Sequence, residues 1–286
     1  MRTRPDHSLP GGEAPAAWLD ELCHARSAFD LPRQAHHRAG QVVEQVLGFL
    51  FPHFAPEVHC EREALAREYR ELAEVTFQLL SAFCGEERAR AAVGPLLDGL
   101  PALHAALTED ARFILASDPA ATSLDEVILA YPGFLATACY RIAHRLRELE
   151  IPLLPRLITE YAHQRTGIDI HPGATIGVPF AIDHGTGTVI GETAHVGARV
   201  RMYQGVTLGA LSVEKRLASA KRHPTIGDDV VLYANATVLG GRTIVGEGSV
   251  IGGNVWLTRS VPERTVVAQR AMETHATDDP LLEFYI

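Results

Sequence analysis

The stretch DIHPGATIGVPFAIDHGTGTVIGETAHVGARVRMYQGVTLG (169–209) decides the fold. An aliphatic or large apolar residue recurs at Ile170, Ile176 and Ile182, then at Ile190, Val196, Met202 and Leu208. The same beat resumes at Ile226, Leu232, Val238, Ile244, Val250 and Trp256. Glycines such as Gly177, Gly191, Gly197, Gly209 and Gly227 follow directly, supplying the backbone freedom that tight turns need. A fixed six-residue period predicts a solenoid, whose coils bury their apolar faces only against each other. Ordinary strand alternation has a period of two and does not select every sixth position.

Two interruptions stand out. Ile182 to Ile190 carries a two-residue insertion around DHGTG (183–187). Between Leu208 and Ile226, GALSVEKRLASAKRHPT (209–225) ignores the period and is polar and basic. Insertions in solenoids form loops, often on the binding face. Each contains a histidine beside a charge, Asp183-His184 and Arg222-His223, so function is expected there.

Upstream of Gly167 the spacing becomes helical, with apolar residues three and four apart in segments 41–51, 62–83, 125–149 and 153–165. Phe51-Pro52, Cys84-Gly85 and Ser117-Asp118-Pro119 punctuate them. The expected organisation is a flexible tail (1–15), a helical domain (16–166), a parallel β-helix (167–268) and a second flexible tail (269–286). The fold class is therefore α+β.

A net charge of −9 argues against a general nucleic-acid binder, which needs clustered Lys and Arg. No apolar run approaches the roughly 18 residues of a membrane span. The segment MRTRPDHSLPGGEAP (1–15) lacks the apolar core of a signal peptide. The spacing of Cys23, Cys60, Cys84 and Cys139 suits neither zinc nor a disulfide framework, so buried thiols in a reducing cytoplasm are expected.

The motifs DIHPGATIG (169–177), DHGTGTVIGET (183–193), QGVTLG (204–209), KRHPTIGDDVVLYANATVLGG (221–241) and SVIGGNVWLTRSVP (249–262) resemble serine acetyltransferases of the left-handed β-helix acyltransferase superfamily. Upstream, SDPAATSL (117–124) and GFLATACYRIAHRL (133–146) look like that family's helical domain, and the final Ile286 also matches. The resemblance implies left-handed coiling, contrary to the usual right-handed crossover.

It also implies transfer of acetyl from acetyl-CoA to L-serine, the first step of cysteine biosynthesis. His184 is then the general base, since a neutral imidazole is basic enough to take a hydroxyl proton. Asp169 is implied as the carboxylate that holds its other ring nitrogen. His223 is expected to contact the substrate or the oxyanion, with Arg222 forking onto the serine carboxylate. Asp118 and Asp183 are candidates for the serine ammonium, although a helix cap before Pro119 also explains Asp118. Ala210, Ala234 and Ala236 are implied beside the pantetheine arm of the coenzyme, and Ser249 stands where some relatives carry a basic contact. Lys215 to Lys221 is placed near the coenzyme phosphates or in a solvated loop. No metal is expected.

Further implications are a homotrimer or hexamer, feedback inhibition by L-cysteine, and docking of Ile286 into O-acetylserine sulfhydrylase. Rival readings are an acyltransferase acting on homoserine or a sugar, a γ-type carbonic anhydrase using His171, His184, His195 and His223, and a non-catalytic scaffold.

Overall fold

A computed structural model of the chain describes residues 14–29, 31–211 and 220–269. By contact the chain divides into Met1–Arg33 and Gln34–Ile286. The first unit contributes α1 (Ala16–Ser27), a helix with no buried residue. Among the described residues the second holds six α-helices and a short 3-10 turn (Pro52–Phe54), with fourteen short strands after them.

The helices are α2 (Ala35–Leu50), α3 (Arg62–Asp98), α4 (Leu100–Ser117), α5 (Leu124–Ala130), α6 (Pro132–Glu148) and α7 (Leu154–Thr166). α3 is broken at Gly85, whose φ of 78° and ψ of 162° are not helical. The predicted segment 125–149 is two helices, because Tyr131 is extended and Pro132 opens α6 at a position where no N–H is needed. α4 and the second half of α3 lay outside the periodic segments read from sequence. Their buried faces, Ala89, Ala92 and Leu96 on α3 and Leu107, Ala111 and Ile114 on α4, mix small with large residues and give a weak signal. Among the described residues no helix is long and apolar enough to cross a membrane.

After Gly167, which ends α7 in the left-handed conformation, the chain winds into a parallel β-helix. One sheet runs β1 (Asp169–Ile170), β4 (Val189–Ile190), β7 (Thr207–Gly209), β10 (Thr237–Leu239) and β13 (Trp256–Leu257). We call it face A. Face B stacks β2 (Thr175–Ile176), β5 (His195–Val196), β8 (Thr225–Ile226) and β11 (Ile244–Val245). Face C stacks β3 (Phe180–Ile182), β6 (Val200–Met202), β9 (Val231–Leu232), β12 (Val250–Ile251) and β14 (Val266–Val267).

Register exposes the insertions. Val189 pairs with Thr207, three hexads on. Asp169 pairs with Val189, two residues further than that, and the excess is the DHGTG turn. Thr207 pairs with Thr237, and the excess is the polar excursion after Gly209.

Ile170, Ile182, Ile190, Met202, Leu208, Ile226, Leu232 and Val238 all lie in the prism core. The expected continuation through Ile244, Val250 and Trp256 needs correction. Val245, Ile251 and Leu257 turn inward or partly so, while Ile244 and Trp256 are 50% and 70% exposed. One extra residue at the Gly240-Gly241 corner shifts the phase, and Gly240 takes a φ of 102° there. The expectation of buried cysteines also fails in part: Cys139 is buried, Cys84 half-buried, and Cys23 and Cys60 exposed.

Helices and solenoid are joined by a buried ion pair. Arg141 of α6 grips Asp110 of α4 in a fork, Nε to Oδ2 at 2.6 Å and Nη2 to Oδ1 at 2.9 Å. The Phe180 amide of β3 donates to Asp110 Oδ1 at 2.9 Å, and Arg141 Nη2 donates to the Gly177 carbonyl at 3.0 Å. Every polar atom of the pair thus points at a backbone group or at its partner, as burial requires.

Candidate active site

The corner between faces C and A carries the first cluster. β3 ends at Ile182, and the Asp183 amide donates to the Met202 carbonyl of the next coil at 2.8 Å, which keeps the turn in register. His184 follows with φ 56°, then Gly185 and Gly187 with φ 83° and 82°. Left-handed residues recur at other corners, Arg199, Asp229 and Asn235 among them, so this conformation belongs to the corner geometry. Gly185 is obligatory by space as well, since a Cβ there would lie 2.4 Å from Ile168. The outcome is an imidazole whose side chain is 73% exposed, with Nε2 3.9 Å from Asp183 Oδ1.

The helical layer brings a second carboxylate. Asp118 caps the C-terminus of α4 and shares a small cleft with Asp183 and Tyr203. Its Oδ2 accepts from the Tyr131 hydroxyl at 2.6 Å and its Oδ1 from the Ala120 amide at 2.8 Å. The Tyr131 hydrogen bond first, then the Ala120 amide and the charge of His184, hold the Asp118 carboxyl below its ordinary range. The same hydrogen bond pushes the Tyr131 phenol up to about 12. Asp118 thus has both the capping contact and a place in the cleft. Tyr131 was not foreseen; its signal was an aromatic residue directly before Pro132, where the chain must be extended. Gly133, next to it, lets α6 touch β3: a Cβ there would lie 2.0 Å from the Ile182 carbonyl oxygen.

The corner between faces A and B carries the second cluster. The His223 ring lies over Gly191, where a Cβ would stand 2.0 Å from it. Its Nδ1 accepts from the Thr193 amide at 3.0 Å and lies 2.9 Å from Thr193 Oγ1. Burial, with the adjacent Arg222 charge, pushes the His223 pKa down to about 4. Lys221 Nζ donates to the carbonyls of Thr193 and His223 at 2.7 and 2.9 Å. That ammonium serves the local backbone; Lys215 lies outside the described residues. Arg222 is ion-paired with Glu192, which also receives Arg147 Nη2 at 3.1 Å. Burial raises the Glu192 pKa, but the Arg222 hydrogen bond and the surrounding positive charges outweigh it and hold the carboxylate ionised. Arg222 is therefore committed to a protein carboxylate in this structure.

Several expected groupings do not form within one chain. Asp169 accepts from Arg156 Nη1 at 3.2 Å, and no described contact joins it to His184. The carboxylate beside His184 is Asp183. His184 and His223 occupy different corners, separated by one side of the prism, roughly 15–20 Å for a six-residue side. Ala236 is fully buried inside the prism and presents no surface to a coenzyme. Ser249 is also fully buried: its hydroxyl donates to the Pro262 carbonyl at 2.9 Å and accepts from the Thr265 amide at 3.1 Å, stapling consecutive turns. Ala210 and Ala234 remain half-buried, on the A/B and C/A corners respectively. Ile286 lies outside the described residues.

Among the described residues, Glu160, His163 and Asp169 have the spacing of a metal trio. The Arg156 guanidinium already pairs with both of its carboxylates, so positive charge there is supplied by the protein. His171, His184, His195 and His223 form no such group.

A six-residue parallel β-helix, interrupted twice, with each interruption presenting a histidine beside charged partners, defines a protein of the hexapeptide β-helix class. No family model matches the chain. Over 175 residues it is 54% identical to the plasmid serine acetyltransferase of Synechococcus elongatus, covering 59% of this chain and 54% of that relative. Thus it spans about half the length of that protein. Against the serine acetyltransferase of Bacillus subtilis it is 49% identical over 161 residues, 56% of this chain and 72% of the relative. The crystal structure of Entamoeba histolytica serine acetyltransferase 1 in complex with L-cysteine superposes with a TM-score of 0.73 at 39% identity, covering 79% of this chain and 86% of that one. The Neisseria gonorrhoeae enzyme in complex with serine gives 0.57 at 27% identity, covering 75% and 90%. The chain belongs to the serine acetyltransferase family, and its coil is the left-handed β-helix of that family.

Proposed function

We propose that this chain transfers the acetyl group of acetyl-CoA to the hydroxyl of L-serine, releasing O-acetyl-L-serine and CoA. The observation that carries the reading is His184, an exposed imidazole at a solenoid corner with Asp183 and Asp118 beside it. Its relatives are named for this reaction.

A serine hydroxyl is a weak nucleophile until a base takes its proton. In this reading His184 accepts that proton as the oxygen attacks the thioester carbon. The carbon–sulfur bond of the tetrahedral intermediate then breaks, and the imidazolium returns the proton to the CoA thiolate. Asp118 and Asp183 receive the serine ammonium; the Tyr131 hydrogen bond keeps Asp118 ionised for that purpose.

The serine carboxylate and the oxyanion need donors, and the A/B corner offers Arg222 and His223. One chain cannot bring that corner to His184. A second copy, packed so that its A/B corner faces the first chain's C/A corner, completes the site, and threefold closure makes three such sites. Arg222 would exchange its bond to Glu192 for the substrate carboxylate. Asp169 would reach His184 only on leaving Arg156. L-cysteine, with a thiol in place of the serine hydroxyl but alike in both charged groups, fits the serine position as an inhibitor, as the bound amino acid in the Entamoeba relative suggests. Docking of Ile286 into O-acetylserine sulfhydrylase stays part of the proposal.

The test is thiol release from acetyl-CoA with L-serine, homoserine and a galactoside, by wild type and His184→Ala. Serine is expected to be preferred, and the substitution to lower kcat at least ~100-fold. Near-normal turnover by the variant would refute the base assignment.

A further inference from the structure

We propose that Thr193 is a positioning residue that locks His223 into the tautomer protonated at Nε2, so that His223 serves the reaction as a hydrogen-bond donor and not as a base. The inference rests on the acyl-transfer reading for its catalytic consequence, but its structural half stands alone.

The argument starts from a donor that has no choice. The Thr193 backbone N–H points at His223 Nδ1 at 3.0 Å. An amide nitrogen can only donate, so Nδ1 must offer its lone pair, and the ring proton of a neutral imidazole must sit on Nε2. The threonine hydroxyl reinforces this. Its oxygen accepts from the Arg222 amide at 2.9 Å and from the His223 amide at 3.0 Å. With both lone pairs engaged, the hydroxyl proton is left for Nδ1, 2.9 Å away. Moving the ring proton to Nδ1 would set it against two donors at once.

The surroundings remove the other freedoms. Gly191 leaves a flat floor for the ring, and any side chain there would overlap it. Lys221 ties the carbonyls of Thr193, His223 and Pro224 together, fixing the backbone on both sides of the contact. The charged and titratable groups around the ring are Lys221, Arg222, Glu192 and His171, and burial with Arg222 keeps it neutral. Nε2 has no partner among the described residues, which leaves one N–H to offer. The two histidines therefore divide the chemistry: an exposed one beside carboxylates to take a proton, and a buried one that can only give a hydrogen bond.

The experiment combines two-bond proton–nitrogen correlation spectra of histidine-labelled full-length protein with thiol-release kinetics. The His223 signal is assigned by its loss in His223→Gln. At pH 7 the wild-type ring is expected to carry its proton on Nε2 with Nδ1 bare; a proton on Nδ1, or an imidazolium, would overturn the proposal. Glutamine can donate near the Nε2 position but cannot act as a base. His223→Gln is expected within about 10-fold of wild-type kcat, and His223→Ala to fall ~100-fold, the scale of one lost oxyanion donor. Equal loss in both would overturn the proposal. Thr193→Val should lower kcat roughly 10-fold and Thr193→Ser less than about 3-fold, since serine keeps the hydroxyl; an unimpaired valine variant argues against it. Should the valine variant fail to fold, the wild-type spectrum and the glutamine–alanine pair still decide. An inactive wild type would sink the acyl-transfer reading while leaving the spectrum to judge the tautomer.

Discussion

Tyr131 and Asp118 show how a single hydroxyl sets the working state of a carboxylate. The phenol donates at 2.6 Å and stabilises the ionised form, so the Asp118 pKa lies below its ordinary value. Tyr131→Phe removes that donor, and the pKa rises. Asp118 holds an ammonium only while ionised, so in the variant serine binding is lost at a higher pH as the solution is acidified. The expected outcome is a serine KM whose acid rise begins nearer neutrality than in wild type, with the alkaline side unchanged. Steady-state kinetics across pH checks it; coincident profiles would detach Tyr131 from substrate binding. At the residue scale Asp169 and Arg222 each carry a partner that their motifs did not reveal. Both are charged residues in suggestive motifs, and both have a protein counter-ion in this structure.

At the scale of elements, α4 matters more than its weak periodicity suggested. Asp110 and Asp118 lie about two turns apart on one side of the helix or at its cap. The first is locked to Arg141 and to the Phe180 amide, the second hangs over Asp183. Thus the docking of α4 on β3 sets where the second carboxylate stands. Asp110 has no exposed side-chain surface, and Arg141 is 9% exposed. Asp110→Ala leaves a buried guanidinium without its counter-charge and should destabilise the protein by about 3–5 kcal/mol. Chemical denaturation measures it. In variants that still fold, serine KM should rise more than kcat falls, because the cleft loses its geometry while His184 keeps its own turn.

At the scale of the whole molecule, the proposed reaction divides its residues between two separate corners of one chain. If each active site joins the C/A corner of one copy to the A/B corner of another, defects in different halves can be segregated. Oligomers formed by refolding His184→Ala together with His223→Ala would contain some sites with both histidines intact. Activity in the mixture is expected to exceed that of either variant alone, by severalfold if subunits assort at random. Mixing that restores nothing, with hybrid oligomers verified by mass, would mean that each chain works from its own corners.

The architecture was legible because a solenoid is a local code: each coil buries its sixth residue against its neighbour, so Ile170 through Val238 announce themselves in order. Where the code relies on counting alone it slipped, at the Gly240-Gly241 corner, since one added residue reverses which of Ile244 and Val245 faces inward. The two breaks, Asp183-His184 and Arg222-His223, were visible for the same reason, as departures from a period. Partnership was not visible. That Asp169 belongs to Arg156, that Ser249 staples two turns, that Tyr131 serves Asp118 and that Thr193 commands the His223 ring are contacts between residues far apart in sequence or on different coils. Such pairings depend on which corner each residue occupies and on how the helical layer docks, and only the folded chain decides that.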